Sequence, residues 1–308
     1  MKKILLSLFI FCTINLNAQE FKPFGVPEAL IYTNFSNSGG LSKFEITRAY
    51  FGYDYNFSTL FTGRLVFDFV TPGNVFIKYG YMQYEKNGLN IRSGLVPNVQ
   101  IDRMEKFWNH RYIMKSFQDK YSMSPSSDYG IDVYYKFNKL ISADIGILNG
   151  EGYKSAQLDS VFKYTVGVTL HPTKKLVFHA YYDNMKKSVA QQTFSIMCGY
   201  SDKKLSVAVE YNNQINSKYR KDYNYSGYSI CGTYDFNTKF GLVGRYDIVE
   251  SSSPTSKSWN FSNDGQQCVL GIEYKPVKGI RISPNSQIWA GRNGVNIYLY
   301  SLNLELKM

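Results

Sequence analysis

The stretch Tyr298-Leu299-Tyr300-Ser301-Leu302-Asn303-Leu304-Glu305-Leu306-Lys307 sorts its side chains by parity. Tyr298, Tyr300, Leu302, Leu304 and Leu306 fall on one face; Ser301, Asn303, Glu305 and Lys307 fall on the other. Period two with one apolar and one polar face is a β-strand between two different environments. The split recurs upstream. Phe162, Tyr164, Val166, Val168 and Leu170 oppose Lys163, Thr165, Gly167, Thr169 and His171. Tyr129, Ile131, Val133, Tyr135 and Phe137 oppose Asp128, Asp132 and Lys136. Leu65, Phe67 and Phe69 oppose Arg64 and Asp68, and Leu205, Val207, Val209 and Tyr211 oppose Ser206, Glu210 and Asn212. A soluble sandwich also alternates, but these segments run about ten residues, the length of a tilted membrane strand. Their apolar faces end in Tyr and Phe, as interfacial girdles require.

Composition agrees. Aromatic residues make up 17% of the 308, with 27 Tyr and 21 Phe against 3 Trp. Such a chain suits strands better than helices. Charged residues at 19% and hydrophobic residues at 44% exclude a disordered chain. Lys2-Lys3, an apolar run over 4–14 and Leu16-Asn17-Ala18 make residues 1–18 an expected secretory signal peptide, leaving 19–308 as a single barrel domain. Its removal takes the net charge from +11 to +9. With no polybasic block, this gives no ground for nucleic-acid binding. Cys198, Cys231 and Cys268 form neither a disulfide framework nor a zinc spacing, and no metal or cofactor motif is present.

Tyr55-Asn56-Phe57-Ser58-Thr59, Tyr135-Lys136-Phe137-Asn138-Lys139 and Tyr234-Asp235-Phe236-Asn237-Thr238 are near-copies. Each sets two same-face aromatics at a strand end before a tight polar turn. Sixteen strands are expected, near 29–36, 43–57, 61–71, 75–85, 89–97, 128–137, 141–149, 161–171, 176–184, 190–201, 205–213, 223–236, 239–250, 264–275, 280–291 and 295–308. Turns after the even-numbered strands are short, and the long connections 98–127, 150–160, 213–222 and 251–263 all lie on the other side. That is the layout of an all-β, antiparallel, up-and-down transmembrane barrel in the outer membrane of a Gram-negative bacterium. The connection 98–127 is the long third loop. It carries Met104, Phe107, Trp108, Tyr112, Ile113 and Phe117 together with Arg103, Lys106, His110, Arg111 and Lys115. Apolar and charged surfaces on one loop predict that it folds into the lumen as the constriction. By parity Arg48, Arg64, Asp68, Lys78, Asp132, Lys136 and Lys163 line the pore.

Arg48-Ala49-Tyr50-Phe51-Gly52-Tyr53-Asp54-Tyr55-Asn56-Phe57 and Phe61-Thr62-Gly63-Arg64-Leu65-Val66-Phe67-Asp68 resemble the opening strands of the porin O/P family. So do Lys78-Tyr79-Gly80-Tyr81, Gly94-Leu95-Val96-Pro97, Arg111-Tyr112-Ile113-Met114-Lys115-Ser116 and Asp128-Tyr129-Gly130-Ile131-Asp132. The resemblance covers about residues 43–137. It implies a sixteen-stranded outer-membrane channel, often a homotrimer, with the third loop inside the pore. The family's arginine and lysine arrays have no residue-by-residue match here. Asp54, Asp68, Asp132, Asp144, Glu210, Asp235 and Glu273 share the inward face with the bases, so the expectation is passive diffusion of small hydrophilic solutes with a weak anion bias. Two alternatives stand beside it. An outer-membrane barrel phospholipase or protease would need one of His110, His171 or His179 beside a nucleophile. A structural or adhesive barrel would have a plugged lumen.

Circular dichroism of the purified protein is expected to show dominant β content, with anomalous migration of unboiled samples in detergent gels. A mainly helical spectrum would remove the barrel assignment.

Overall fold

A computed structural model describes residues 21–70, 73–255, 259–260 and 263–308; the expected signal peptide lies outside the described residues. The strands are β1 Phe24–Ser38, β2 Leu41–Asn56, β3 Phe61–Val70, β4 Asn74–Lys86, β5 Leu89–Pro97, β6 Ser127–Lys136, β7 Ile141–Leu148 and β8 Lys163–Leu170. They continue with β9 Leu176–Lys186, β10 Ala190–Ser201, β11 Leu205–Ile215, β12 Asn224–Asp235, β13 Phe240–Ser252, β14 Gly265–Tyr274, β15 Ile280–Gly291 and β16 Asn296–Lys307. Each pairs antiparallel with its sequence neighbours. β1 closes the cylinder on β16, with Leu30 opposite Lys307 and Ser38 opposite Leu299. The sixteen expected strands match these closely. The largest difference is β1, which begins five residues earlier than the expected 29, at Phe24. Pro27 and Glu28 discourage a strand reading, yet Pro27 pairs opposite Tyr53.

The alternation sets which way the wall faces. Leu302, Leu270, Ile272, Ile145 and Ile147 are exposed on the outside, while Ser195, Asn212 and Asp247 are fully buried inside. A soluble core inverted in this way requires lipid outside. Two bulges adjust it, each adding one residue to one strand. The first leaves Thr47 unopposed, its hydroxyl donating to the Tyr32 carbonyl at 3.3 Å, so the outward set changes from Phe44 and Ile46 to Phe51 and Tyr53. The second leaves Lys78 unopposed between the pairs Val66–Tyr79 and Phe67–Ile77.

The three near-copied turns share one geometry. Their aromatic pairs Tyr55–Phe57, Tyr135–Phe137 and Tyr234–Phe236 meet edge-on at 4.8, 4.9 and 5.6 Å between centroids. Behind each pair Ser58, Asn138 or Asn237 accepts hydrogen bonds from the two amides that open the next strand. A short polar side chain that satisfies amides locally is why these residues stand at tight turns.

The connection between β5 and β6 holds helix α1, Val99–Trp108, and the short helix α2, Phe117–Lys120. Asn98 caps α1 by accepting from the Ile101 amide at 3.1 Å, and Asn109 ends it in a left-handed conformation. The connection folds into the lumen as expected. α1 crosses toward the short-turn end, where Phe107 seats over Gly199; the chain then rises so that Phe117 seats over Gly227. Both glycines leave room that a side chain there would fill.

Leu302→Arg is expected to cost about 2–4 kcal/mol of folding stability, because it sets a charge against hydrocarbon. Asn303→Ala, one residue away, faces the loop and is expected to leave the barrel folded while loosening that loop. Denaturant titration in lipid vesicles checks the first, and protease sensitivity of residues 98–126 checks the second. Equal folding losses at both positions would overturn the face assignment.

Candidate functional site

The lumen is organised around the inserted loop. Met104, Trp108, Tyr112, Ile113 and Met114 pack with Tyr32 on β1 and with Met197, Ala208, Cys231, Val243 and Val269 on β10 to β14. Those five wall residues occupy the inward, otherwise polar parity of five consecutive strands. They are the patch on which the loop rests. They were legible as apolar exceptions to the alternation, but only the fold shows that they adjoin.

The loop backbone is satisfied by the wall. Arg281 donates to the Asn109 carbonyl at 2.6 Å, Asn303 to Tyr112 at 2.8 Å, Arg245 to Lys115 at 2.5 Å and Gln214 to Met123 at 2.7 Å. Side chains add Gln118 to Asn212 at 2.7 Å and Tyr121 to Asp247 at 3.0 Å. Buried carbonyls need such partners, so these donors fix the loop in place.

All five expected constriction bases lie in the lumen, and each has an acidic partner. Arg111 forks between Glu105 at 2.6 Å and Asp119 at 2.5 Å. Lys115 joins Asp119 at 3.3 Å, Lys106 pairs with Asp102 at 2.9 Å, and Arg103 lies 3.6 Å from Asp144. His110 is buried with its Nε2 2.9 Å from Glu273, which also accepts from the Tyr112 hydroxyl. Burial alone would raise the Asp119 carboxyl, but Arg111, Lys115 and Lys78 outweigh it and hold the group at about 2. Arg111, itself buried, is raised by Glu105, Tyr50 and Asp119. The Arg111 fork ties α1 to α2, and its charge is neutralised there.

The expected pore-lining residues divide. Arg48 pairs with Asp68 at 2.8 Å, and Arg64 bridges Glu28 at 2.8 Å and Asp54 at 2.5 Å, both partly open. Arg92, which parity reasoning did not single out, holds Asp132. Asp68 and Lys78 do not line open lumen. The Tyr153 hydroxyl donates to Asp68 at 2.7 Å, its ring lies 4.4 Å from the Lys78 ammonium, and Lys78 donates to Ser126. Lys163 is buried beside Gly150, and Lys136 is exposed at the short-turn mouth. The correction for Asp68, Lys78 and Lys163 has one cause: the connections after β5 and β7 both fold inward over the wall.

Two polar vestibules flank the loop. On the short-turn side a cavity of about 520 Å³ is lined by Asn90, Arg92, Asp102, Arg103, Lys106 and Tyr134. On the long-loop side a cavity of about 490 Å³ is lined by Lys120, Tyr121, Lys218, Trp259, Gln287 and Trp289, among others. A smaller one of about 270 Å³ lies between Lys115, Asp119, Ser126, Tyr153 and Lys154. The aromatic residues of the long-loop vestibule were not singled out from sequence. The available signal was that two of only three tryptophans sit at that end.

No family model and no curated protein matches the chain. Solved structures do. OmpT, an outer membrane protein of Vibrio cholerae in a trimer form, has a TM-score of 0.72 at 13% identity, over 93% of this chain and 99% of that one. OmpF of Salmonella typhi, in complex with daunomycin, has a TM-score of 0.73 at 10% identity, over 92% and 97%. An anion-selective porin from Comamonas acidovorans has a TM-score of 0.70 at 9% identity, over 93% and 100%. At these identities the likeness is one of fold: the chain is a closed sixteen-stranded antiparallel barrel like those of these outer-membrane proteins.

Proposed function

We propose that this chain is an outer-membrane porin through which small hydrophilic solutes diffuse passively. The observation that carries it is the loop 98–126, held inside a closed barrel with, on either side, a cavity to which charged and amide side chains contribute. A loop so placed narrows a lumen while leaving water-accessible volume at both ends. The exposed apolar belt supports a place in the outer membrane among lipid, after export by the 1–18 segment. A homotrimer is supported by the OmpT structure in its trimer form. Membership of the porin O/P family rests on the segments within 43–137.

The enzyme alternative finds little support. His179 is buried, its Nδ1 3.0 Å from Thr169 rather than against an acid, and Asp183 instead accepts from Tyr181. His110, on the loop itself, is buried against Glu273 of the wall. Neither is presented to a substrate. The apolar contacts under α1 favour the plugged alternative more, and conductance separates it from the channel.

Charge pairing relocates the anion bias. The bases of the constriction are matched by Glu105, Asp119, Asp102 and Asp144, whereas Lys120, Lys154 and Lys218 on the long-loop side have no carboxylate within 4 Å among the described residues. A fixed charge without a counter-charge acts on passing ions more than a paired one does.

Changing Lys120, Lys154 and Lys218 together to Gln is therefore expected to shift the reversal potential in a salt gradient toward cations, more than Lys106→Gln does. Arg111→Ala is expected to loosen α1 from α2 and raise single-channel conductance. Acid tests the same fork. Asp119 is depressed, so its contribution is fully present above the ordinary carboxylate range and is lost as pH falls through about 2. Conductance should thus hold down to about pH 3 and rise only below it. A protein that shows no conductance at any pH is the plugged barrel.

A further inference from the structure

We propose that the long-loop vestibule is a binding site for small organic anions that carry a ring: a carboxylate or phosphate on a sugar or an aromatic nucleus. The proposal deepens the channel reading by naming a solute class, and it rests on that reading only for its use in transport.

The vestibule differs from the other cavities in three ways. The first is its charge. Lys120 and Lys218 line it, no Asp or Glu does, and neither lysine has a carboxylate within 4 Å among the described residues. The short-turn vestibule has more bases, Arg92, Arg103 and Lys106, but Asp102 and Asp144 line it with them. Lys120 comes from the loop, and its ammonium donates to Gln267 at 2.8 Å, leaving donors for a second acceptor. Burial and the nearby Arg245 lower that ammonium to about 8, which leaves it mostly charged at neutral pH. A largely buried cation without a counter-ion is costly, and an anionic solute supplies the missing partner.

The second is the aromatic surface. Tyr121 lies 6.3 Å from Trp289, and Trp259 lies 5.6 Å from Tyr225. The Lys120 ammonium sits 5.3 Å from the Tyr121 ring and 6.0 Å from the Trp289 ring, and the Lys218 ammonium 5.2 Å from the Trp259 ring. Trp259 and Trp289, with Ile297 and Leu299 beside them on the same wall, give a ring an apolar surface to stack on. The third is the amide set. Gln287, Asn260 and Asn263 face the same space and can bond ring hydroxyls. A volume of about 490 Å³ suits one ring with its charged group.

Intrinsic fluorescence tests this directly. Of the three tryptophans, Trp108 is buried at the end of α1, so Trp259 and Trp289 are the reporters that a vestibule ligand reaches. The refolded full-length barrel is titrated with glucuronate, benzoate, glucose and acetate. Saturable changes with glucuronate and benzoate, and much weaker ones with glucose and acetate, are expected. Glucuronate binding more tightly than benzoate assigns the amides a role, and the reverse order assigns the site to aromatic anions. Lys120→Gln should weaken the ring anions roughly tenfold, as loss of a charged hydrogen bond does. Lys218→Gln, on an exposed turn, provides the same readout should the first variant fold poorly. No saturable change with either ring anion, equal affinity for all four probes, or unchanged affinity in a folded lysine variant would overturn the site. Conductance of the parent separates the two readings. Current without ring-anion binding removes the site and keeps the channel; binding without current removes the channel and keeps the site.

Discussion

In hydrocarbon every backbone amide and carbonyl must find a protein partner, and everything in this molecule follows from how that requirement is met. The pairing of β1 with β16, from Leu30–Lys307 to Ser38–Leu299, leaves no edge strand. Closure fixes a cylinder, the cylinder fixes which parity faces lipid, and parity fixes which side chains must be satisfied inside. The bulges at Thr47 and Lys78 are the two places in β2 and β4 where the count is adjusted without breaking closure.

The enclosed space then poses its own problem. A sixteen-stranded wall leaves a wide lumen, and this one is largely taken up by the chain itself. The loop after β5 brings apolar side chains to the few apolar positions of the inner wall. It brings backbone carbonyls to Arg281, Asn303, Arg245 and Gln214. The shorter connection after β7 covers Asp68 and Lys78 through Tyr153, and Asp128 accepts from the Gly150 and Gly152 amides to hold that turn. The loop after β5 is held by apolar burial and by wall-to-loop hydrogen bonds together.

Charge is distributed by the same logic. From Arg103 to Lys115 each loop base has its acid, because an unpaired charge there would carry its desolvation cost alone. At the long-loop end, Lys120, Lys154 and Lys218 have no carboxylate within 4 Å among the described residues. Uncompensated charge in the lumen thus stands at the long-loop mouth, while the bases of the constriction are cancelled by their partners.

The strand spans, the sixteen-fold count, the short-turn side and the aromatic pairs at Tyr55–Phe57, Tyr135–Phe137 and Tyr234–Phe236 were legible in the sequence. All are set by period-two alternation and local turn chemistry, and both act between residues close along the chain. The insertion of residues 98–126 was also legible, since a loop rich in Trp, Tyr and Met must bury them. The partners were decided only by the tertiary structure. Arg111 reaches Glu105 and Asp119, His110 reaches Glu273, and Trp289 on β15 comes to face Tyr121 on the loop. Contacts across a closed lumen join positions as far apart as Asn303 and Tyr112, 191 residues from each other, and no periodicity along one strand encodes which side chain stands opposite it.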